Sequence, residues 1–186
     1  ALAAHGSGLI VRHGAAPELI PQLAAELGAA AVFANRDYEP QAIARDAAVA
    51  RALGARGIEF RTRKDHVIFE KDEIQSAGRT PFTVFSAYRK AWLRRVVPFF
   101  YRPYPVGKHL SSLAAIAADS VPSLAELGFE PTNLSRLGVP HGARGAQALL
   151  DDFLRRIDRY HELRDFPAVR GTSYLSLHLR FGTVSI

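Results

Sequence analysis

Residues 30–62 read AAVFANRDYEPQAIARDAAVARALGARGIEFRT, and this stretch decides the fold. It opens with an apolar run over residues 30–34 and continues through a polar loop. A helical pattern over residues 41–53 follows, ending at Gly54, and residues 58–62 form a second strand pattern. Two such runs joined by a helix of about a dozen residues are typical of parallel strands with a covering helix. We therefore predict a β-α-β unit.

The same alternation extends toward the N-terminus. Residues 9–13 (LIVRH) have a strand pattern that is closed by Gly14. Residues 17–27 carry apolar side chains at helical spacing and are followed by Gly28, a residue that commonly ends helices. We predict a Rossmann-like parallel sheet with helices, that is, an α/β fold. Residues 1–5 (ALAAH) resemble the end of a helix that leads into the strand of residues 9–13, so we expect an earlier strand to be missing. The lack of methionine also indicates a truncated piece.

The pattern changes beyond residue 66. Residues 81–97 have the spacing of a helix that begins near Pro81, with Trp92 on its apolar side as a core residue. Residues 98–145 hold six of the eleven prolines and five of the fourteen glycines. An irregular stretch of that length indicates a linker between domains.

A second helical pattern covers residues 145–160, with apolar side chains on one face. We therefore predict three regions. Residues 1–97 form the α/β domain, residues 98–145 form the linker, and residues 146–186 form the first helices of an all-α domain.

The composition limits the partners and the compartment. The net charge of +6 favours a polyanionic partner such as nucleic acid or a phosphorylated cofactor. With no cysteine the chain has neither disulfides nor thiolate chemistry. No apolar run is long enough to span a membrane, and no secretory signal is visible. We expect a cytoplasmic protein without a membrane partner.

The loop after the strand pattern of residues 30–34 is a first candidate site. It contains Asn35, Arg36, Asp37, Tyr38 and Glu39, at the strand end where open α/β sheets bind ligands. An ordinary polar turn helped by Asp37 or Asn35 explains the same residues equally well. No glycine-rich dinucleotide fingerprint and no phosphate-binding lysine loop follows any predicted strand.

A second candidate site lies in residues 164–176, which read RDFPAVRGTSYLS. We predict a helix after Gly171 with Thr172 or Ser173 as its N-cap, ending at Gly182. Simple capping would account for the two hydroxyl residues. The functional interpretation is an anion site, because a helix start with several hydroxyls presents donors to a phosphate. Ser176 would add a third hydroxyl, and Arg164 and Arg170 would add charge.

Other polar residues do not indicate chemistry. The seven histidines lack metal-ligand spacing, so no metal is expected, and His178 is interpreted as a packing or surface residue. No nucleophile motif and no paired catalytic carboxylate is present, so no catalytic residue is assigned. Asp151, Asp152 and Asp158 share a helix pattern with three arginines and are interpreted as solvated ion pairs, the arginines being Arg155, Arg156 and Arg159.

Three ordered blocks resemble the DNA photolyase/cryptochrome family. Asn35-x-x-Tyr38-Glu39, followed by Ala44-Arg45-Asp46, resembles its antenna-domain loop and helix. Phe82-Thr83-Val84-Phe85 with Tyr88 and Lys90-Ala91-Trp92-Leu93 is similar to its FTVFTPYKNAWL signature. The third block resembles the start of its flavin-binding helical domain and reads Tyr160-x-x-x-Arg164-Asp165-Phe166-Pro167-x-x-x-Gly171-Thr172-Ser173-x-Leu175-Ser176.

The resemblance implies a light-driven flavoprotein that uses reduced FAD to split pyrimidine dimers in DNA, a deoxyribodipyrimidine photo-lyase. It implies FAD contacts from Tyr160 and from one loop, through the side chains of Thr172, Ser173 and Ser176 and the backbone of Tyr174 and Leu175. Arg164 would contact DNA. The alternative within the family is a cryptochrome, a blue-light signalling protein without repair activity. Outside it, the alternative is a small-molecule binding domain of another family.

The resemblance leaves two alternatives: an antenna chromophore, which could be a folate, a deazaflavin or a flavin, or no antenna. Pro40, Gln41 and Ala42 stand where folate-binding members carry residues that include an Asn-Glu pair, which argues against folate. Family members continue well beyond the length of this chain. We therefore expect this fragment to be inactive by itself and the full-length protein to be a monomer.

Overall fold

The computed structural model describes residues 2–186, with the side chains of residues 134 and 135 left out. The chain divides into two compact units. Unit 1 ends at Ser123, and unit 2 comprises Leu124–Ile186.

Unit 1 contains the predicted β-α-β unit. Helix α1 is Ala16–Glu26, strand β1 is Ala31–Asn35, helix α2 is Pro40–Gly54, strand β2 is Glu59–Arg63 and helix α3 is Phe85–Arg95. β1 and β2 pair in parallel, in a register that sets Ala31 opposite Glu59 and Asn35 opposite Arg63. The prediction of an α/β fold with a parallel sheet is therefore confirmed.

Local sequence explains where these elements begin and end. α1 and α2 each carry a proline in the first turn, where its missing N–H is not needed. After α1, the N–H of Gly28 donates to Ala25 and that of Ala29 to Ala24, which is a Schellman ending. Gly28 adopts a φ of +59°, a conformation that glycine reaches without a Cβ clash.

The core of unit 1 lies between the two helices and the sheet. Ala24 of α1, Val49 and Leu53 of α2, and Ile58 before β2 are buried together. Leu53 has no exposed surface. The residues that α2 buries are Ala42, Val49 and Leu53, which share one face of the helix.

The prediction of a strand over residues 9–13 is wrong. The carbonyl of Leu9 accepts from the N–H of Asp119 at 2.9 Å, and the N–H of Val11 donates to Asp119 Oδ2 at 3.0 Å. A Cβ on Gly8 would lie 2.6 Å from the Cα of Ala118, so the two segments touch backbone to backbone. This apolar segment pairs with a distant loop, and the sheet of the described chain has two strands.

Helix α3 is shorter than the predicted 81–97. Before it, Ser76 and Thr80 are joined through backbone and side-chain hydrogen bonds, which hold a turn just ahead of Pro81. Trp92 is half-buried and meets the ring of Phe69 edge-on at 5.7 Å. It therefore packs at the margin of the unit rather than in its buried core.

Between α3 and residue 141, the described chain forms only short 3₁₀ segments, at Pro98–Phe100, Val106–Ser112 and Leu134–Leu137. This irregularity agrees with the clustering of proline and glycine. The assignment of residues 98–145 to a linker stays a prediction.

The regular elements of unit 2 in the described chain are helices. Helix α4 is Gly142–Leu154, helix α5 is Tyr160–Leu163 and helix α6 is Ser176–Arg180, and α4 packs against α6. The predicted helix over 145–160 is interrupted, because Arg156 leaves helical geometry with φ −132° and ψ 9°. His178 is buried, with Nδ1 2.7 Å from Thr183 Oγ1, which fits the packing role predicted for it.

Candidate functional site

The carboxyl ends of β1 and β2 meet at one edge of the sheet, where the first candidate loop begins. The N–H of Arg36 donates to the carbonyl of Arg63 at 2.8 Å and continues the pairing past β1. Asn35 Nδ2 donates to Asp65 Oδ2 at 2.9 Å. The polar residues after both strands are thereby joined to each other.

Glu70 binds two residues of this loop. Tyr38 Oη donates to Glu70 Oε2 at 2.6 Å, and Arg36 Nη2 forms an ion pair with Glu70 Oε1 at 2.8 Å. Burial and the hydrogen bond to Glu70 raise the pKa of Tyr38 to about 12, because both oppose a phenolate beside a carboxylate. Tyr38 is therefore a neutral donor at physiological pH.

Glu73 extends the network to α3. Its carboxylate accepts from Lys64 Nζ and from the N–H of Glu70, both at 2.6 Å. Burial disfavours the charge of Glu73, yet these hydrogen bonds outweigh it and hold the pKa of this carboxyl below its usual value. Arg95 Nη1 donates to the carbonyl of Glu73, so α3 is attached to the same turn.

These contacts account for the first candidate loop as a polar turn. Asp37 Oδ1 accepts from the N–H of Tyr38 at 2.7 Å and of Glu39 at 3.4 Å, the helper role that one interpretation assigned to it. Arg36 and Tyr38 use their polar groups to attach β1 to Glu70. Arg36 Nε is buried without a hydrogen-bond partner among the described residues.

The second candidate loop is the part of the second candidate site formed by residues 170–176, and Arg156 binds two of its carbonyl groups. Arg156 Nη1 donates to the carbonyl of Arg170 at 2.5 Å, and Nη2 donates to the carbonyl of Thr172 at 2.8 Å. Its Nε donates to Asp152 Oδ2 at 3.0 Å, and Asp152 also pairs with Arg170 at 3.2 Å. One guanidinium therefore spans the residues on both sides of Gly171.

The prediction that Thr172 or Ser173 caps the helix is wrong. α6 begins only at Ser176, its N-cap is Leu175, and no side chain caps it. Ser173 Oγ accepts from the N–H of Leu175 at 3.4 Å, which uses the hydroxyl inside the loop. Tyr174 adopts a φ of +57°, and this left-handed residue delays the helix start.

Gly171 brings the loop against α5. A Cβ at this position would lie 2.4 Å from the carbonyl oxygen of Leu163, so only glycine fits. α5 begins at Tyr160, whose ring meets that of Phe153 edge-on at 5.8 Å. The contact at Gly171 thus joins the helix that carries Tyr160 to the loop that carries the hydroxyls.

The remaining predicted residues are accessible. Arg164 lies over the ring of Tyr160 at 5.9 Å, and its side chain is half-exposed. Thr172, Tyr174 and Ser176 are exposed, whereas Ser173 and Leu175 are half-buried. Tyr160 and Arg164 therefore lie next to each other. The five loop residues, Thr172 to Ser176, form one continuous segment at the surface.

Arg156 and Glu70 are the residues that sequence reasoning missed. Arg156 was interpreted as part of a solvated set, and it does pair with Asp152 at i,i+4. The two carbonyls that Arg156 binds lie 14 and 16 residues farther along the chain. Neither helical nor strand periodicity in the sequence predicts contacts at these separations. Glu70 lies outside any periodic element, so no sequence signal distinguished it.

No group of three or more histidine, aspartate or glutamate side chains within residues 2–186 is arranged to hold a metal ion. In the same part of the chain, no helix combines the length and apolar character needed to cross a membrane.

A family model for DNA photolyase matches residues 1–107, which include β1, β2 and α1 to α3. The chain belongs to the DNA photolyase family. A deoxyribodipyrimidine photo-lyase of Halobacterium salinarum is 38% identical over 187 residues, covering 97% of this chain and 38% of the relative. One from a Synechococcus species is 34% identical, again covering 97% of this chain and 38% of the relative. The chain thus spans under half the length of these relatives.

Solved structures agree with the family assignment. A bacterial class III photolyase from Agrobacterium tumefaciens superposes with a TM-score of 0.74 at 29% identity, over 92% of this chain and 36% of its own. A Synechocystis cryptochrome gives a TM-score of 0.68 at 17% identity, over 92% and 37% of the two chains. At that identity the cryptochrome shares the fold alone.

Proposed function

We propose that this protein acts in light-dependent DNA repair as a deoxyribodipyrimidine photo-lyase that splits cyclobutane pyrimidine dimers with electrons from reduced FAD. The observation that carries the proposal is the 38% identity to the photo-lyase of Halobacterium salinarum over 97% of this chain. That match extends beyond the α/β unit into the helices of unit 2.

The second candidate loop fits the phosphates of FAD by its donor chemistry. Thr172, Ser173 and Ser176 supply three hydroxyl groups within five residues, and the first N–H groups of α6 have no partner inside that helix. Hydroxyl and backbone N–H donors are the groups that bind a pyrophosphate. We propose that these residues, with the backbone of Tyr174 and Leu175, bind the FAD pyrophosphate, and that Tyr160 contacts the cofactor.

Arg164 is proposed to contact DNA. Its guanidinium is half-exposed, lies over the ring of Tyr160 and has its Nε 3.6 Å from Asp165 Oδ2. Arginines of this kind bind backbone phosphates and orient the nucleic acid without reading its sequence. FAD supplies the electron transfer; the residues of this chain bind the cofactor and orient the DNA.

We further propose that residues 1–97 form the antenna domain, residues 98–145 the linker and residues 146–186 the start of the FAD-binding domain. We propose a deazaflavin antenna, a flavin antenna or none, because Pro40, Gln41 and Ala42 stand where folate-binding members carry residues that include an Asn-Glu pair. The FAD loop is exposed, so a flavin bound by it alone would stay in water. We therefore propose that the 186 residues alone do not catalyse repair.

A flavin titration tests the cofactor site. FAD fluorescence would be followed as the protein is added, for the wild type, for the double variant Thr172→Ala/Ser176→Ala and for Ser111→Ala. Ser111 is an exposed hydroxyl residue of unit 1 and serves as the control. We expect the double variant to bind FAD about tenfold more weakly, corresponding to about 1.4 kcal/mol, and the control to bind like the wild type. Equal affinity for all three would refute the assignment.

The repair activity needs its own assay, because the fold is shared with a cryptochrome. DNA containing cyclobutane dimers would be illuminated with the longest natural form of the protein and with the 186-residue chain, each supplied with reduced FAD. We expect dimer loss with the first and none with the second. Bound flavin without dimer loss in the longer form would favour the signalling function.

A further inference from the structure

Arg156 makes an unusual set of contacts for an arginine first interpreted as a surface charge. All three nitrogens of its guanidinium donate: Nε to Asp152, and the two terminal nitrogens to the carbonyls of Arg170 and Thr172. Its side chain is only 20% exposed, and the guanidinium carbon lies 5.4 Å from the centre of the Phe153 ring. These contacts together fix the position of the Arg156 side chain.

The two carbonyls that Arg156 binds lie on either side of Gly171. This glycine is packed so tightly against Leu163 that no Cβ fits, and its N–H donates to the carbonyl of Val169 at 2.7 Å. Arg156 therefore holds one side of the loop while α5 limits the other. Three residues after Gly171, Tyr174 has the unfavourable φ of +57°, a conformation that persists only where neighbouring contacts hold it.

Asp152 keeps the arginine aimed at the loop. Its Oδ2 accepts from Arg156 and pairs with Arg170 at 3.2 Å, so one carboxylate orients both cations. Arg156 can then bind two carbonyls with the rigid fork that guanidinium provides. A lysine keeps the charge, but its single ammonium lacks this planar pair of donors.

We propose that Arg156 is a positioning residue of the cofactor site: it sets the backbone of residues 170–173 so that Thr172, Ser173 and Ser176 face the FAD phosphates. The inference rests on the proposed FAD contacts of that loop. Arg156 acts through the backbone and does not itself contact the cofactor.

Hydrogen exchange without FAD tests the first half of this inference. Amide exchange of residues 170–175 would be measured by mass spectrometry in the wild type and in Arg156→Lys, Arg156→Gln and Arg155→Gln. Arg155 is exposed and adjacent, and it makes no described contact with the loop, so its variant is the matched control. Exchange within α4 reports whether unit 2 remains folded.

We expect both Arg156 variants to exchange about tenfold faster over residues 170–175, the effect of losing one charged hydrogen bond, with α4 unchanged. The control should match the wild type. If residues 170–175 exchange in Arg156→Lys at the wild-type rate, the inference is overturned, because a positive charge alone would then be enough to hold the loop. If Arg156→Gln unfolds α4, Asp152→Ala provides the second variant, since it removes the carboxylate that orients the arginine, and unchanged loop exchange there would also overturn the inference.

FAD titration of the same proteins tests the second half. We expect Arg156→Lys to bind FAD about tenfold more weakly than the wild type and Arg155→Gln to bind equally. A loop that exchanges faster while FAD affinity stays the same would overturn the positioning role and leave the proposed function intact. A wild-type chain that binds no FAD would instead refute the cofactor site itself.

Discussion

Tyr38 Oη donates a 2.6 Å hydrogen bond to Glu70 Oε2 and thereby joins the loop after β1 to a turn 32 residues along the chain. Glu70 also forms an ion pair with Arg36, so its carboxylate binds both Arg36 and Tyr38 of this loop. A phenol can donate to a carboxylate only while it keeps its proton. The strength of this link therefore depends on pH, which leads to the first prediction.

Tyr38 should lose its proton only at strongly alkaline pH. Its pKa is raised from 10.0 to about 12, so the unfolded chain releases this proton first. The stabilisation is full below pH 10 and is lost as the pH rises through about 12. The absorbance difference at the phenolate band between the wild type and Tyr38→Phe should titrate near 12. Glu70→Gln should lower that midpoint, and Glu59→Gln, at an exposed carboxylate, should not; a midpoint near 10 in the wild type would contradict the assignment.

Glu73→Gln should destabilise unit 1 in a pH-dependent manner. The pKa of Glu73 is lowered in the folded state, so its contribution is present above the unfolded value of 4.5 and is lost as the pH falls through the folded value. At pH 7 we expect a loss of about 1 kcal/mol in the free energy of unfolding, reduced by the partial exposure of the pair.

Urea unfolding between pH 3 and pH 7 measures this effect for the wild type, Glu73→Gln and Asp72→Asn. Asp72 is the exposed neighbouring carboxylate. The curves of the wild type and Glu73→Gln should converge at the acid end. A gap that stays constant over the whole range would exclude the ionised carboxylate as its cause.

Gly171→Ala should disturb the candidate FAD loop. The new Cβ would lie 2.4 Å from the carbonyl oxygen of Leu163, so the backbone must move. We expect a loss of about 2 kcal/mol in the free energy of unfolding, typical of overpacking. Gly54→Ala at the end of α2 meets no atom within 4 Å and should be neutral or stabilising by up to about 1 kcal/mol. Similar unfolding midpoints for Gly171→Ala and the wild type would show that the loop does not need this close contact.

Leu53→Ala should be among the most damaging changes in unit 1. Leu53 is fully buried between α1, α2 and the sheet, and its truncation leaves a cavity that we expect to cost about 3 kcal/mol. Leu27 is 53% exposed after α1, and Leu27→Ala should cost less than about 0.5 kcal/mol. Chemical unfolding of both variants measures the difference in their free energies of unfolding. Equal losses for the two variants would show that Leu53 is not part of the core.

Sequence reasoning succeeded where the signal is local. The predicted helix over residues 41–53 agrees with α2 to within one residue at each end. Pro40 in the first turn and Gly54 at the end act on their own backbone, so their effect does not depend on distant residues. It failed at residues 9–13, whose apolar pattern equally suits a strand and a segment packed on a loop. It also placed the start of the last helix too early, at Thr172. The positive φ of Tyr174 delays the helix, and a tyrosine in the sequence gives no indication of a positive φ.

The sequence by itself determined the β-α-β order of unit 1, the helical character of unit 2 and the blocks that resemble the DNA photolyase family. These depend on apolar periodicity and on short motifs, which lie within one element. Only the tertiary structure decided that Glu70 binds Tyr38, that Asp119 binds Val11 across 108 residues, and that Arg156 holds the loop around Gly171. Each of those contacts joins polar groups that are distant in the chain, and their pairing follows from how the units fold, since no period along the sequence relates the partners.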